Sequence, residues 1–277
     1  MKNRAVLAII KKDIMAISSN VQIWLPMLIV PIIFSLFLPG VLIIPARFYD
    51  LSTMGNMDTI LKLFDKLPPG ELREMIISFN TVNKKLIYFT VNYLFAPFFL
   101  IIPLMVASVI GANSFAGEKE RKTMESLLFA PVDIPSLFWA KILSAFLPAV
   151  VLTILCSLLY GVMVNLTAHP LFGKIIFPQK NWLILLFWVT PALSLGTVFI
   201  NVFISAKVKG FQEAYQLGGL VVLPILALVV GQITGVLLVN NFFLWCLGAG
   251  LWLIDLIFIK RVGKYFNRNK LFESQVL

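Results

Sequence analysis

A chain of 277 residues that is 60% hydrophobic and 13% charged carries more apolar surface than a soluble domain of that length buries, and this composition belongs to a polytopic helical membrane protein. The net charge of +10 raises nucleic acid as a partner, but the basic residues flank apolar stretches instead of gathering on one face, which argues against it. Cys156 and Cys246 lie inside apolar stretches without metal or disulfide spacing, and the single His169 builds no metal site alone.

Residues 1–20 repeat apolar side chains at three- and four-residue steps (Val6, Ile9, Ile10, Ile14, Ile17) among Lys2, Arg4, Lys11 and Lys12. This predicts an amphipathic helix in the membrane interface, on the leaflet with anionic headgroups; a plain basic tail is the alternative. The first span follows at about 21–44, too long for the apolar core of a cleavable signal. Pro26, Pro31 and Pro39 predict that it is kinked. Residues 45–85 form a polar loop with six basic and five acidic side chains. Ile60, Leu61 and Phe64 suggest a short helix there, Pro68-Pro69-Gly70 a break, and Glu71 to Phe79 a second helix. We read this loop as a small extracytoplasmic helical cap, too short to hold a core of its own.

The second span covers about 86–113, with Pro97 and Pro103 inside it and Asn92, Tyr93 and Ser108 adding polarity. A charged loop, 114–136, leads through Asp133 as N-cap to the third span at about 137–164, where Lys141 is placed to snorkel to the interface. A second outer loop, 165–181, precedes the fourth span at about 182–204. The basic loop 205–215 carries Lys207 and Lys209. The fifth span at about 216–239 and the sixth at about 242–259 are joined by Asn240-Asn241, and a basic tail follows with Lys260, Arg261, Lys264, Arg268 and Lys270. The fold class is therefore all-α and polytopic: one transmembrane domain over residues 1–277 with six spans. Six spans put both termini on one side. With that side cytoplasmic, the inner segments hold 15 of the 23 basic residues and the outer ones 8, so the positive-inside rule places both ends in the cytoplasm.

The chain has no G-x-x-x-x-G-K-[ST] loop and cannot bind ATP in the usual way by itself. It has no H-E-x-x-H, no G-x-S-x-G and no paired carboxylates within the spans, so no catalytic residue and no metal ligand is assigned. Asp255, about one turn from the inner end of the last span, is expected to pair with Lys260 or Arg261. The fifth span is rich in small residues (Gly218, Gly219, Gly231, Gly235), which permit close helix packing. Asn92, Tyr93, Ser108, Gln232 and Thr234 are the candidates for a substrate path, and 231–241 is either the end of a straight span or a re-entrant turn.

The densest charge lies between the second and third spans, in Gly111 to Val132, GANSFAGEKERKTMESLLFAPV. On one helix, Glu118–Lys122 and Arg121–Glu125 are neighbouring pairs of opposite sign, Met124, Leu127 and Leu128 form an apolar stripe, and Pro131 is the stop. A solvated helix that only keeps the loop in water is the bland alternative. The string FAGEKERKTMESLLFAPV, with Lys141 ten residues on, resembles the cytoplasmic loop of type 2 ABC exporter permeases. The positions that carry the resemblance are Glu118, Lys119, Glu120, Arg121, Thr123, Glu125, Leu127, Leu128, Pro131 and Lys141; the departure is Lys122, where the family more often has Gly, with no loss of role expected. The resemblance implies a permease of the cell membrane, of prokaryotic type, that pairs with a second permease copy or homologue. It also implies two copies of a separate ABC ATPase, which bind the ATP and magnesium; this chain binds no cofactor. The charged helix, Glu118 to Glu125 with Met124, Leu127 and Leu128, would dock in a cleft of the ATPase and couple its motion to export. Under docking, Glu118→Lys and Leu127→Asp are each expected to keep the membrane level and lose transport. A secondary transporter or channel independent of ATP is the competing class.

Overall fold

The computed structural model describes residues 2–50, 64, 70–129, 132–234 and 240–265. The described residues are helical with no strand among them. Six helical runs are long and apolar enough to cross a membrane: Trp24–Arg47, Val82–Glu120, Ile134–Phe172, Lys180–Lys207, Phe211–Ile233 and Asn241–Lys260. We refer to them as spans 1 to 6. The N-terminal helix Lys2–Ser18 precedes them, helix Glu71–Ser78 sits in the first loop, and a short helix Met124–Phe129 follows span 2. The other helix expected in the first loop lies outside the described residues apart from Phe64, which is buried with its ring 5.4 Å from that of Phe89.

Prolines explain the irregular turns. Three π-helical turns, Ile33–Phe37, Thr90–Leu94 and Leu185–Val189, each contain the carbonyl that a proline four residues later leaves without its backbone donor. Pro39 frees Ser35, Pro97 frees Tyr93 and Pro191 frees Phe187. Freed carbonyls inside a bilayer need other donors, and the turn in span 2 finds them in three neighbouring elements, as described below. Span 3 runs 39 residues, from Ile134 to Phe172. That is about 58 Å, so it projects beyond the roughly 30 Å hydrocarbon layer. It ends where Gly173 takes a left-handed backbone (φ 64°) as the C-cap. The outer loop expected at 165–181 is correspondingly shorter.

Span 2 is the central helix. Of its apolar window 72% is buried, against 33% in span 1, 22% in span 5 and 17% in span 6. It packs against spans 3 and 4 and the start of span 5. Gly111 allows the close approach to span 4: a Cβ there would lie 2.8 Å from that of Asn201. One half of the core gathers around Tyr160, whose ring centroid is 5.0 Å from those of Phe99 and Trp182 and 5.1 Å from that of Phe177. The other half gathers around Phe115, Phe138, Met124 and Val198 at the end that carries the charged loop. The N-terminal helix packs along span 3 through Ile10, Asp13 and Ile17, while Leu7, Ile14 and Met15 remain exposed.

Candidate functional site

The charged stretch is two helices, not one. Helix Ala116–Glu120 stops where the Thr123 N–H donates to the Glu118 carbonyl (2.9 Å) and the Lys122 N–H to the Lys119 carbonyl (3.0 Å). This is a Schellman arrangement. Lys122 stands at its left-handed position with φ 57°, the place that favours glycine and where the resembled family more often has one. The expected pairs Glu118–Lys122 and Arg121–Glu125 need an unbroken helix and do not form; the turn separates their members. Lys122→Gly should therefore raise stability by about 0.5–1 kcal/mol, since relief of left-handed strain outweighs the added freedom of the unfolded chain. Thermal melting of the purified protein reads this, and a lower melting temperature than wild type would refute the turn.

Each charge before the turn binds a different element. The Glu118 side chain is 4% exposed and accepts from Lys12 Nζ at 2.5 Å, from Lys141 Nζ at 3.2 Å and from the Thr123 hydroxyl. Lys141, at 1% exposure, also pairs with Asp13 at 2.9 Å. It does not snorkel as expected, because two buried carboxylates hold it. Burial pulls the Lys12 ammonium down, but the carboxylates of Glu118 and Asp13 outweigh that and hold it above the usual lysine range. Lys119 Nζ donates to the carbonyls of Ala206 (2.7 Å) and Val208 (2.9 Å) at the end of span 4, where a cation also suits the helix dipole. The Glu120 carboxylate accepts the Phe211 N–H (2.8 Å) at the start of span 5, and Gly210 admits it, since a Cβ there would stand 2.8 Å from its oxygen. Ser205 Oγ accepts the N–H groups of Phe115 and Ala116, both at 2.8 Å. The end of span 2 is thus tied to the N-terminal helix and to spans 3, 4 and 5.

The remaining loop positions divide by exposure. Met124 is buried in the chain's own core beside Phe115 and Phe138, so it anchors the short helix internally and not a partner, contrary to expectation. Arg121, Lys122 and Glu125 are exposed, and Phe129 is 77% exposed. The side chains of Leu127 and Leu128, and Pro131, lie outside the described residues. Asp133 stands at the N-cap position of span 3, where its carboxylate accepts the Ser136 hydroxyl (2.8 Å) in place of a backbone N–H. Glu118→Lys is no longer a test of docking: it would bring a third ammonium beside Lys12 and Lys141 and unfold the site.

Three of the five path candidates meet at the π turn of span 2. Tyr160 Oη donates to the Val91 carbonyl (2.9 Å), Asn181 Nδ2 and Trp182 Nε1 to that of Asn92 (2.6 and 3.0 Å), and Gln232 Nε2 to that of Tyr93 (2.7 Å). Asn92 Nδ2 reaches back to the Tyr88 carbonyl (3.2 Å). Ser108 lies elsewhere, buried against Asn201 Nδ2 at 3.3 Å, and Thr234 spends its hydroxyl on the Val230 and Gly231 carbonyls of its own helix. Helix Phe211–Ile233 ends before 235–239, and the choice between a straight and a re-entrant end for 231–241 falls on those positions, which lie outside the described residues. Asp255 is 1% exposed, faces Gly196 of span 4 and forms no ion pair among the described residues, which overturns the pairing expected with Lys260; the side chain of Arg261, the other expected partner, lies outside the described residues. Sequence reasoning overlooked Asp13, Lys12 as a partner of Glu118, Asn201 and Asn181; Asn201 had a signal, a lone amide inside an apolar span, and so did Asp13, at helical spacing from Ile10 and Ile17.

Among the described residues no cluster of His, Cys, Asp and Glu could hold a metal ion. No curated protein and no solved structure matches the chain. A family model described as ABC-2 family transporter protein matches residues 64–247, which include the charged loop, spans 2 to 5 and the π-turn junction, and the chain belongs to that family as the membrane subunit of an ABC transporter.

Proposed function

We propose that the chain is the permease of an ATP-driven exporter in a prokaryotic cell membrane, with both termini in the cytoplasm. Two copies of a separate ATPase bind ATP and magnesium and serve two permease copies, this chain paired with itself or with a homologue. The observation that carries the reading is the charge hub. Glu118, Lys119 and Glu120 bind the N-terminal helix, span 3, the end of span 4 and the start of span 5, while Arg121, Lys122, Glu125 and Phe129 face outward. A force applied to the outward group is passed to four elements at once. The docking face is Arg121, Lys122, Glu125 and Phe129, with Leu127 and Leu128 on the same short helix. Lightly buried spans 1, 5 and 6 leave apolar flanks for lipid and for the second permease copy. Asn92, Tyr93 and Gln232 mark the substrate side of span 2.

Affinity-tagged permease purified from its own membrane should bring an ABC ATPase with it, at one ATPase per permease, and its absence in mild detergent would count against the reading. Orientation is tested separately with a membrane-impermeant thiol reagent. Lys174→Cys, exposed after span 3, should label in intact cells, and Lys122→Cys only after permeabilisation. The reverse pattern would invert the topology.

A further inference from the structure

At the end of the molecule that carries the charge hub, a groove of about 330 Å³ opens between the N-terminal helix, the start of span 1, the hub end of span 2 and the first half of span 3. Its walls include Ile14, Ser18, Trp24, Leu28, Ile110 and Leu152. That volume is in the range of small-molecule sites, and none of the described residues that line it is charged. Ser18 spends its hydroxyl proton on the Met15 carbonyl (3.0 Å), so the lining offers a ligand mainly apolar contact. Depth narrows the choice further. Leu152 lies eleven residues beyond Lys141 on span 3, about 16 Å along the helix axis. The floor of the groove is therefore in the hydrocarbon layer. Trp24, at the first residue of span 1, has the amphipathic ring that suits the headgroup boundary at its mouth. An acyl chain entering between these four elements touches protein on several sides and gains more dispersion contact than one lying on an outer face.

The charge beside the groove has one sign. Arg4, Leu7, Lys11, Ile14 and Ser18 follow one another at three- and four-residue steps, so they form one stripe of the N-terminal helix, and all five are exposed. Ile14 and Ser18 are groove wall, which puts Lys11 one turn and Arg4 three turns from it on the same stripe. Asp13, the one acid of this helix, turns the other way and pairs with Lys141 at 2.9 Å, and Lys12 is held by Glu118. We propose that the groove holds an acyl chain of one anionic phospholipid, whose headgroup lies against Lys11 with Arg4 adding to the attraction. This goes beyond a helix resting in the membrane interface, because a single lipid is bound at a defined place. Ile17 and Met27 also line the groove and belong to the same cluster as Phe115 and Phe138, so the bound lipid braces the core beside the hub. The proposal concerns the membrane subunit alone, so it stands or falls independently of the direction of transport and of the ATPase.

The test is native mass spectrometry of the purified full chain in detergent, titrated with dioleoyl phosphatidylglycerol and, separately, with dioleoyl phosphatidylcholine. Thermal melting is recorded beside it. One phosphatidylglycerol is expected to bind about twenty-five-fold more tightly than phosphatidylcholine, roughly fivefold for each exposed cation. It should also raise the melting temperature, since a ligand of the folded state stabilises it. Arg4→Gln with Lys11→Gln should bring phosphatidylglycerol down to the phosphatidylcholine value and abolish the rise in melting. Leu28→Trp fills the groove from a position that is 38% exposed, and should weaken both lipids about tenfold. Equal affinity of the wild type for the two lipids would reduce the groove to ordinary lipid contact and overturn the proposal. So would unaltered phosphatidylglycerol binding in either variant, or full displacement by glycerol phosphate, which has the charge and no chain. Cross-linking of Ile14→Cys to a second copy of the chain in the membrane would overturn it as well, because the permease partner would then occupy the groove.

Discussion

Lys141→Met should cost about 3–5 kcal/mol of stability, the range for removing one partner of a buried ion pair. The Lys141 side chain is 1% exposed, and its Nζ lies 2.9 Å from Asp13 and 3.2 Å from Glu118, whose side chains are 10% and 4% exposed. Methionine fills nearly the same space, so the loss is electrostatic: two buried carboxylates would remain with only Lys12 between them. Lys12→Ala should cost less than about 1 kcal/mol, because its side chain is 49% exposed and solvent screens it, while Glu118 keeps Lys141 and Thr123. Neutralising the group together, with Asp13→Asn, Glu118→Gln and Lys141→Met in one chain, should recover most of the stability lost in Lys141→Met. The measurements are membrane level and thermal melting of the detergent-solubilised protein. If Lys141→Met melted with the wild type, the group would be a solvated cluster and not a buried hub.

The spans were legible because a bilayer demands about 20 consecutive apolar residues, and a hydropathy pattern records that directly. The hub was not, because the bonds that join its different elements link residues 23 to 128 positions apart, beyond any periodic rule. A near-neighbour rule instead offered Glu118–Lys122, and the stop that prevents it is hidden by Lys122, a good helix former in a place meant for glycine. The pairing of Asp255 with Lys260 failed for a related reason. Lys260 is five positions away, about 140° around the helix, so closeness in sequence puts the two on different faces. Asp13 drew no notice among basic neighbours, although it shares the buried stripe of Ile10 and Ile17. At the π turn the prolines were visible and the freed carbonyls followed from them; which side chains would answer, Tyr160, Asn181 and Gln232, depended on tertiary packing.

Phe129→Asp should leave the permease folded and inserted but without its ATPase. Phe129 is 77% exposed and closes a helix whose Met124 is anchored in the core, so the side chain is presented on a fixed base. Its burial within the membrane subunit is slight. In a docked complex the ring is the largest exposed apolar group described on this helix, among Arg121, Lys122 and Glu125, and aromatic anchors with charged neighbours carry most of the energy of such contacts. Losing one costs about 2–4 kcal/mol, or roughly thirty- to a thousandfold in affinity. Burying a carboxylate in the same cleft adds to that cost. Copurification of the ATPase, melting temperature and export are scored together, with Leu127→Asp beside it and Lys141→Met as the unfolding control. The proposed coupling requires unchanged melting with the ATPase lost in Phe129→Asp, whereas Lys141→Met loses the protein itself. A Phe129→Asp permease that still holds its ATPase and exports at the wild-type rate would take the short helix out of the interface and leave the solvated-loop reading in its place.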